Sequence, residues 1–479
     1  MENSSIILEL ANKLDVQDES VENSTKHSFF LSKINGFFGK IQQITENSQG
    51  SSLFIKNIDL LIMIGLSFTI VSIIFATTGL IGLFTLATFM LLVLKFCFVK
   101  DKKYDFNSFD LPVFLYIAIA GISMAFSSLF MPSLKGYIKM LVYFGGYLTF
   151  SSLFKENPKR IIPLMLVLGI SASIEAFYAL YQQVVGVEAL ASWQDESNAN
   201  PEQLMNRVYG SLKPFNPNLL AGYLVGTFSS AFGLGFWFLN KKNWRISLAS
   251  FIGAAAILLA IICTGSRGAY MAVTGMMAVF VLISGHIISH EFAHVKWLKK
   301  AWMWTIIAAI AAVIGLIFIS PALQHRIFSI FALRGDSSNS YRMNVYMACA
   351  KIFKDNWLIG IGTGNTTFRL IYGLYMVTGF DALGAYCVPL EVAVESGIFG
   401  LLIFGWLISL SFIRSIKYII KDNLLENKIL VSSCIIGITG LMIHGMVDTV
   451  WYRPQINVVF WMLIAILGVV TSKTFNAKR

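Results

Sequence analysis

From residue 58 to the end of the chain, apolar stretches of roughly helix-spanning length alternate with shorter polar connections. A helix crosses the hydrocarbon core of a bilayer in about 20 residues. The pattern predicts about twelve spanning helices, over 58–77, 79–99, 110–130, 134–154, 160–185, 217–239, 245–264, 268–288, 301–320, 386–413, 428–449 and 454–472. No repeat of fixed period runs through them. The first fifty residues differ, being polar and rich in Ser, Asn and Glu. Within them Phe30, Ile34, Phe37, Phe38, Ile41 and Ile44 recur at helical spacing, flanked by Lys33 and Lys40. That stripe predicts a helix lying on the inner membrane surface. Residues 1–26 are expected to form a loose tail as readily as structure. The chain then divides into a cytoplasmic tail, 1–57, and a transmembrane domain, 58–479.

Two connections are longer, 186–216 and 321–385. Long connections inside compact proteins tend to be functional. The second contains a helical pattern over 338–354, where Val345, Met347, Ala348, Ile352 and Phe353 form an apolar stripe. Ser337 or Ser338 can cap it, and it is expected to lie flat on the outer membrane surface.

Charge gives the pattern a direction. The chain is 56% hydrophobic and 13% charged, where a soluble domain is about a quarter charged. The net charge of +11 is sorted into every other connection. Lys100, Lys102 and Lys103 follow the second span, and Lys155, Lys159 and Arg160 the fourth. Lys241, Lys242 and Arg245 follow the sixth, Lys296, Lys299 and Lys300 the eighth, and Arg414, Lys417, Lys421 and Lys428 the tenth. Lys473, Lys478 and Arg479 close the chain. Basic residues gather on the cytoplasmic side of membrane proteins, so both termini are expected there. The same sorting accounts for the excess charge without nucleic acid. Five cysteines without a CxxC pair argue against a disulfide framework or a zinc ribbon.

Against that background the arginines of the opposite face stand out: Arg207, Arg267, Arg326, Arg334, Arg342 and Arg453, with Lys213. Charge at a bilayer boundary is costly and tends to be kept for function. The guanidinium fork matches phosphate and carboxylate. Arg267, between Gly265 and Gly268, has no room to reach sideways to headgroups. Acids join them. Glu391 and Glu395 are four apart and share a helix face, as do His444 and Asp448. Such groups can pair with the arginines, relay protons or bind an acceptor hydroxyl. Glu175, inside the fifth span, reads as a structural ion pair. The glycines of GIGTGN, 360–365, have no preceding strand and read as a tight turn, not a dinucleotide loop. HEFAH, 290–294, matches the spacing of a zinc protease helix. It falls beside Lys296, Lys299 and Lys300 with no third ligand evident downstream, so it stands as a remote alternative.

Together, NPNLLAGYL (216–224), TGSRGAYMA (264–272), the stretch 341–368 and LEVAVESGIFGLL (390–402) resemble the O-antigen ligase and polymerase superfamily, over roughly 205–460. HGMVDTVWYRPQIN (444–457) and AYCVPLEVAVESG are similar to a branch named as cyanobacterial inorganic-carbon transporters. The resemblance implies an all-α, GT-C-like, multi-pass protein of the bacterial inner membrane. It implies a glycosyltransferase moving a glycan from an undecaprenyl-diphosphate carrier to a lipid, sugar or protein acceptor at the periplasmic face, with no metal and no cofactor. Arg267 and Arg342 would hold the diphosphate, with Arg207 and Arg453 beside them. A loop histidine of the family is replaced here by Ala385, Tyr386 and Cys387. Glu395 or His444 would then take the acceptor's proton, with Asp448 alongside. Bicarbonate or small-anion transport by the same arginines is the alternative, and it expects inverted repeats with broken midplane helices.

Overall fold

The computed structural model describes residues 12–44, 52–187, 206–332, 337–421 and 423–472. Arg334, most of the 186–216 connection, and the terminal Lys473, Lys478 and Arg479 lie outside them. The described residues are all-α, with no strand among them. Ahead of the apolar segments lie α1 (Asp18–Lys26), α2 (Phe29–Ile44) and one short turn of helix, Leu53–Lys56. The bundle follows as α3 (Ile58–Ser72), α4 (Thr78–Phe98), α5 (Asp110–Ala125), α6 (Phe130–Glu156), α7 (Ile161–Val185), α8 (Pro217–Asn240), α9 (Trp244–Cys263), α10 (Arg267–Glu291) and α11 (Lys296–Ile319). After these come the shorter α12 (Pro321–Phe328), α13 (Ser337–Asp355) and α14 (Asn365–Tyr372), then α15 (Val388–Ile420), α16 (Leu425–Gly445) and α17 (Pro454–Val470).

A helix occupies each of the twelve apolar segments expected. Eight helices among the described residues are long and apolar enough to cross a membrane, and α3, α5 and α17 are apolar but shorter. The chain is a polytopic helical membrane protein. Proline sets several helix starts. Asn216 accepts hydrogen bonds from the amides of Asn218 and Leu219, with Pro217 in the first turn, and Ser320 accepts from Leu323 ahead of Pro321. A proline at the first helical position gives up an amide that had no partner anyway. The centre is built on α8, packed among α7, α9 and α16, with α17 buried nearly throughout. Small residues bring α8 and α16 together. A Cβ on Gly233 would meet Ser433, and one on Gly437 would stand 2.6 Å from the Ser229 hydroxyl oxygen. Close backbone approach of this kind replaces the hydrophobic drive that is missing in lipid. By contrast α11 buries no residue and packs mainly on α10 and α12.

The connections that carry the sorted lysines gather at one end. There Lys95 pairs with Asp59 and Glu156, and Arg160 reaches Asp59 at 2.8 Å. Lys155 reaches Asp110 at 2.8 Å, Lys241 pairs with Glu426, and Lys428 with Glu291. Segment 12–26 belongs to this end as well, so of the two alternatives left open for it the ordered one holds over these residues. Arg414 donates to Asp15 at 2.6 Å and to the Val16 carbonyl at 2.6 Å, and Lys417 reaches Asp15 at 2.8 Å. Asp18 accepts from the amide of Ser108 at 3.0 Å.

The predicted loop helix is present as α13, with Val345, Ala348 and Ile352 buried as expected. Met347 is 46% exposed, and so falls off the apolar stripe. The helix begins at Ser337 itself, and the Ser338 hydroxyl accepts from Arg342 at 2.9 Å instead of capping. With α14, Ile361 and Val394, α13 forms a second, smaller core separate from that of the bundle.

Candidate functional site

Three arginines meet at the end opposite the lysines. Arg207 is 9% exposed; its Nε donates to the Thr264 carbonyl at 2.7 Å and its other arm to Asn218 at 2.6 Å. Arg267, 8% exposed, opens α10 and donates to the carbonyl and hydroxyl of Ser329 at 3.1 and 3.2 Å. Arg326, near the end of α12, donates to the Gly265 carbonyl at 2.8 Å. One turn, 264–267, therefore receives Arg207 and Arg326 on its backbone and supplies Arg267. Burial first, and Arg326 beside it second, pull the Arg207 guanidinium below its usual range, while Asp448 and Tyr270 act the other way. Guanidinium groups gathered in a desolvated place favour an anionic partner. The start of α10 adds its positive helix end to the same spot.

His444 is the next group. It lies on α16, 1% exposed, with neither ring nitrogen hydrogen-bonded to a described residue. It faces the arginine turn: a Cβ on Gly268 would stand 3.4 Å from its Cδ2 and 3.7 Å from its Nε2. Asp448 and Arg342 both lie within electrostatic reach of it. Asp448 is buried, accepts from the Thr449 amide at 2.8 Å, and acts on Arg207 as well. Arg342, on α13, stands 6.0 Å from the Tyr386 ring centre, a cation–π distance. Tyr386 sits in left-handed backbone at φ 52°. Burial raises its phenol above the usual range, with Tyr341 adding to the effect.

The remaining expected residues are placed differently. Both oxygens of Glu395 are engaged, Oε1 by the Gly364 amide and Oε2 by the Tyr452 hydroxyl, each at 2.9 Å. Glu391 takes the Thr449 hydroxyl. Arg453 precedes α17 at the same end, since Gln455 donates to the Lys213 carbonyl at 2.8 Å, but no hydrogen bond or ion pair joins the Arg453 side chain to the cluster among the described residues. Glu175 is a correction: it binds the backbone and hydroxyl of Ser211, not a cation. The zinc spacing is another. Because α10 ends at Glu291, His290 and His294 do not share a helix face, and Glu291 pairs with Lys428. Among the described residues no three candidate ligands gather to hold a metal. Arg326 was read as one of several outward arginines, and its place against Gly265 was not foreseen. The only hint was its position at the end of a short helix opened by Ser320–Pro321.

Residues 252–405 match the O-antigen ligase family. The match covers Arg267, Arg326, Arg342 and Glu395, and it does not reach the inorganic-carbon transporter branch. No curated protein matches the chain.

Proposed function

We propose that this O-antigen ligase-type membrane protein moves a glycan from an undecaprenyl-diphosphate carrier to an acceptor hydroxyl at the periplasmic face of the inner membrane. The family match supports glycan transfer from a lipid-linked donor by a multi-pass protein. The observation that carries the finer reading is the meeting of Arg207, Arg267 and Arg326 on the 264–267 turn, beside the unpaired imidazole of His444.

In this reading the arginines hold the diphosphate, Arg342 closes over it from α13, and Arg453 waits at the rim. The acceptor oxygen attacks the anomeric carbon as the bond to the diphosphate oxygen breaks. The acceptor's proton passes to His444, and the charge left on the diphosphate is met by preplaced guanidinium groups. Asp448 steadies the imidazolium. Purified protein given a diphosphate-linked glycan and acceptor should form the glycosylated acceptor, and Arg267→Ala should cut it about 100- to 1000-fold. Transfer near the wild-type rate in Arg267→Ala contradicts the diphosphate clamp.

A further inference from the structure

α15 is not one helix. At Gly397 the backbone turns left-handed, φ 66° and ψ −167°, and the hydrogen-bond ladder is interrupted. The segment 357–364 enters the gap. The amide of Ile361 donates to the Val394 carbonyl at 2.9 Å, that of Gly362 to the Glu395 carbonyl at 3.1 Å, and that of Ile398 to the Trp357 carbonyl at 2.8 Å. The approach leaves no room for side chains. A Cβ on Gly397 would lie 2.3 Å from the Leu358 carbonyl oxygen, and one on Gly360 would lie 2.4 Å from that of Glu395. From α5, Ser123 reaches the same Glu395 carbonyl and also accepts from the Gly362 amide at 3.1 Å.

We infer that Glu395 is a positioning residue, whose carboxylate pins segment 357–364 into the break in α15 and so fixes α13, with Arg342, against the bundle that holds Arg267 and His444. Its two oxygens are spent on the Gly364 amide and the Tyr452 hydroxyl, and the residue is 3% exposed. A general base must have an oxygen within reach of the proton it removes, and here each oxygen already accepts a hydrogen bond from a neighbouring element. Two hydrogen bonds to this one carboxyl join α15 to segment 357–364 and to Tyr452. The coupling to Arg342 is direct. Ile361, in the pinned segment, shares the small core with Val345, Ala348 and Ile352 of α13, and Arg342 lies one turn before Val345. A shift of the segment therefore shifts Arg342.

The inference uses the transferase reading only for its activity readout. The test compares Glu395→Gln, Glu395→Ala, Gly397→Ala and Tyr452→Phe in full-length protein, by amide hydrogen exchange over 357–364 and by glycan transfer across a pH series. Glutamine keeps an oxygen for the Gly364 amide and offers its NH2 to Tyr452. Glu395→Gln should keep wild-type exchange, and a rate and pH profile within about twofold, because the pinning bonds survive. Glu395→Ala should speed exchange of the Gly364 amide about tenfold, as for one lost hydrogen bond, and cut transfer about 100-fold through misplacement of Arg342. Gly397→Ala should copy it with the carboxylate still present. Tyr452→Phe, which removes one of the two bonds, should fall between. A Glu395→Gln protein with normal exchange and the transfer loss of Glu395→Ala would make Glu395 a base and overturn the inference. So would unchanged exchange in Glu395→Ala. If wild type itself transfers nothing, the exchange pattern still decides the pinning, and only the transferase reading falls.

Discussion

Arg267 and Gly268 sit back to back with opposite tasks, and each gives a separate test. The guanidinium of Arg267 reaches Ser329 from the turn that receives Arg207 and Arg326. Removing it should cost about 100- to 1000-fold in transfer, the scale seen when one preplaced charge-stabilising donor is lost. Lysine should restore only part of that, because it has no planar fork. At Gly268 an added methyl would meet Val447 at 2.7 Å and crowd His444. Gly268→Ala should therefore slow transfer while leaving binding of the diphosphate carrier near wild type, read by rate and affinity on the same preparation. The sequence showed Arg267 because glycines on either side left it no path to headgroups. Arg326 was legible only as one of several outward arginines, since its place depends on α12 folding back over Gly265. Glu395 was legible as a buried acid on a helix face. Its partners were not, because Gly364 and Tyr452 are 31 and 57 residues away.

The apolar pattern located the helices well because about 20 apolar residues leave a chain few choices in a bilayer. It did not show the break in α15, since one glycine among helix-forming residues does not by itself mark an interruption. GIGTGN was read correctly as a turn, but the turn is inserted between α5, α6 and α15. The lysine-rich end carries its own predictions. Lys95 is 5% exposed and faces both Asp59 and Glu156. Lys95→Met leaves those acids to Arg160 and Lys102. Unfolding in detergent should show a loss of about 2–3 kcal/mol, below the figure for a fully buried pair because Asp59 is partly open to solvent. Arg414 anchors segment 12–18. Arg414→Ala should leave the bundle folded and make that segment an early site of limited proteolysis. Cleavage no faster than in wild type would show that the anchor lies elsewhere.

Charge sorting along the chain and the ion pairs of the fold agree on two unlike ends, one tied by lysine pairs and one holding the arginine turn. This agreement was legible because insertion acts on connections one at a time, before tertiary contacts exist. By this charge sorting the arginine end is expected outward. Single cysteines introduced near Asn365 should react with a membrane-impermeant thiol reagent added to intact spheroplasts, and cysteines near Lys242 only after lysis; the reverse pattern would invert the topology. The most direct test of the central claim is native mass spectrometry of the purified protein with undecaprenyl diphosphate. The account predicts a one-to-one complex that weakens about 100-fold in Arg267→Ala and in Arg342→Ala, as expected when a charge-assisted, bidentate contact to a buried anion is lost. Binding of equal strength in wild type and both variants, or no binding in any of them, would contradict it.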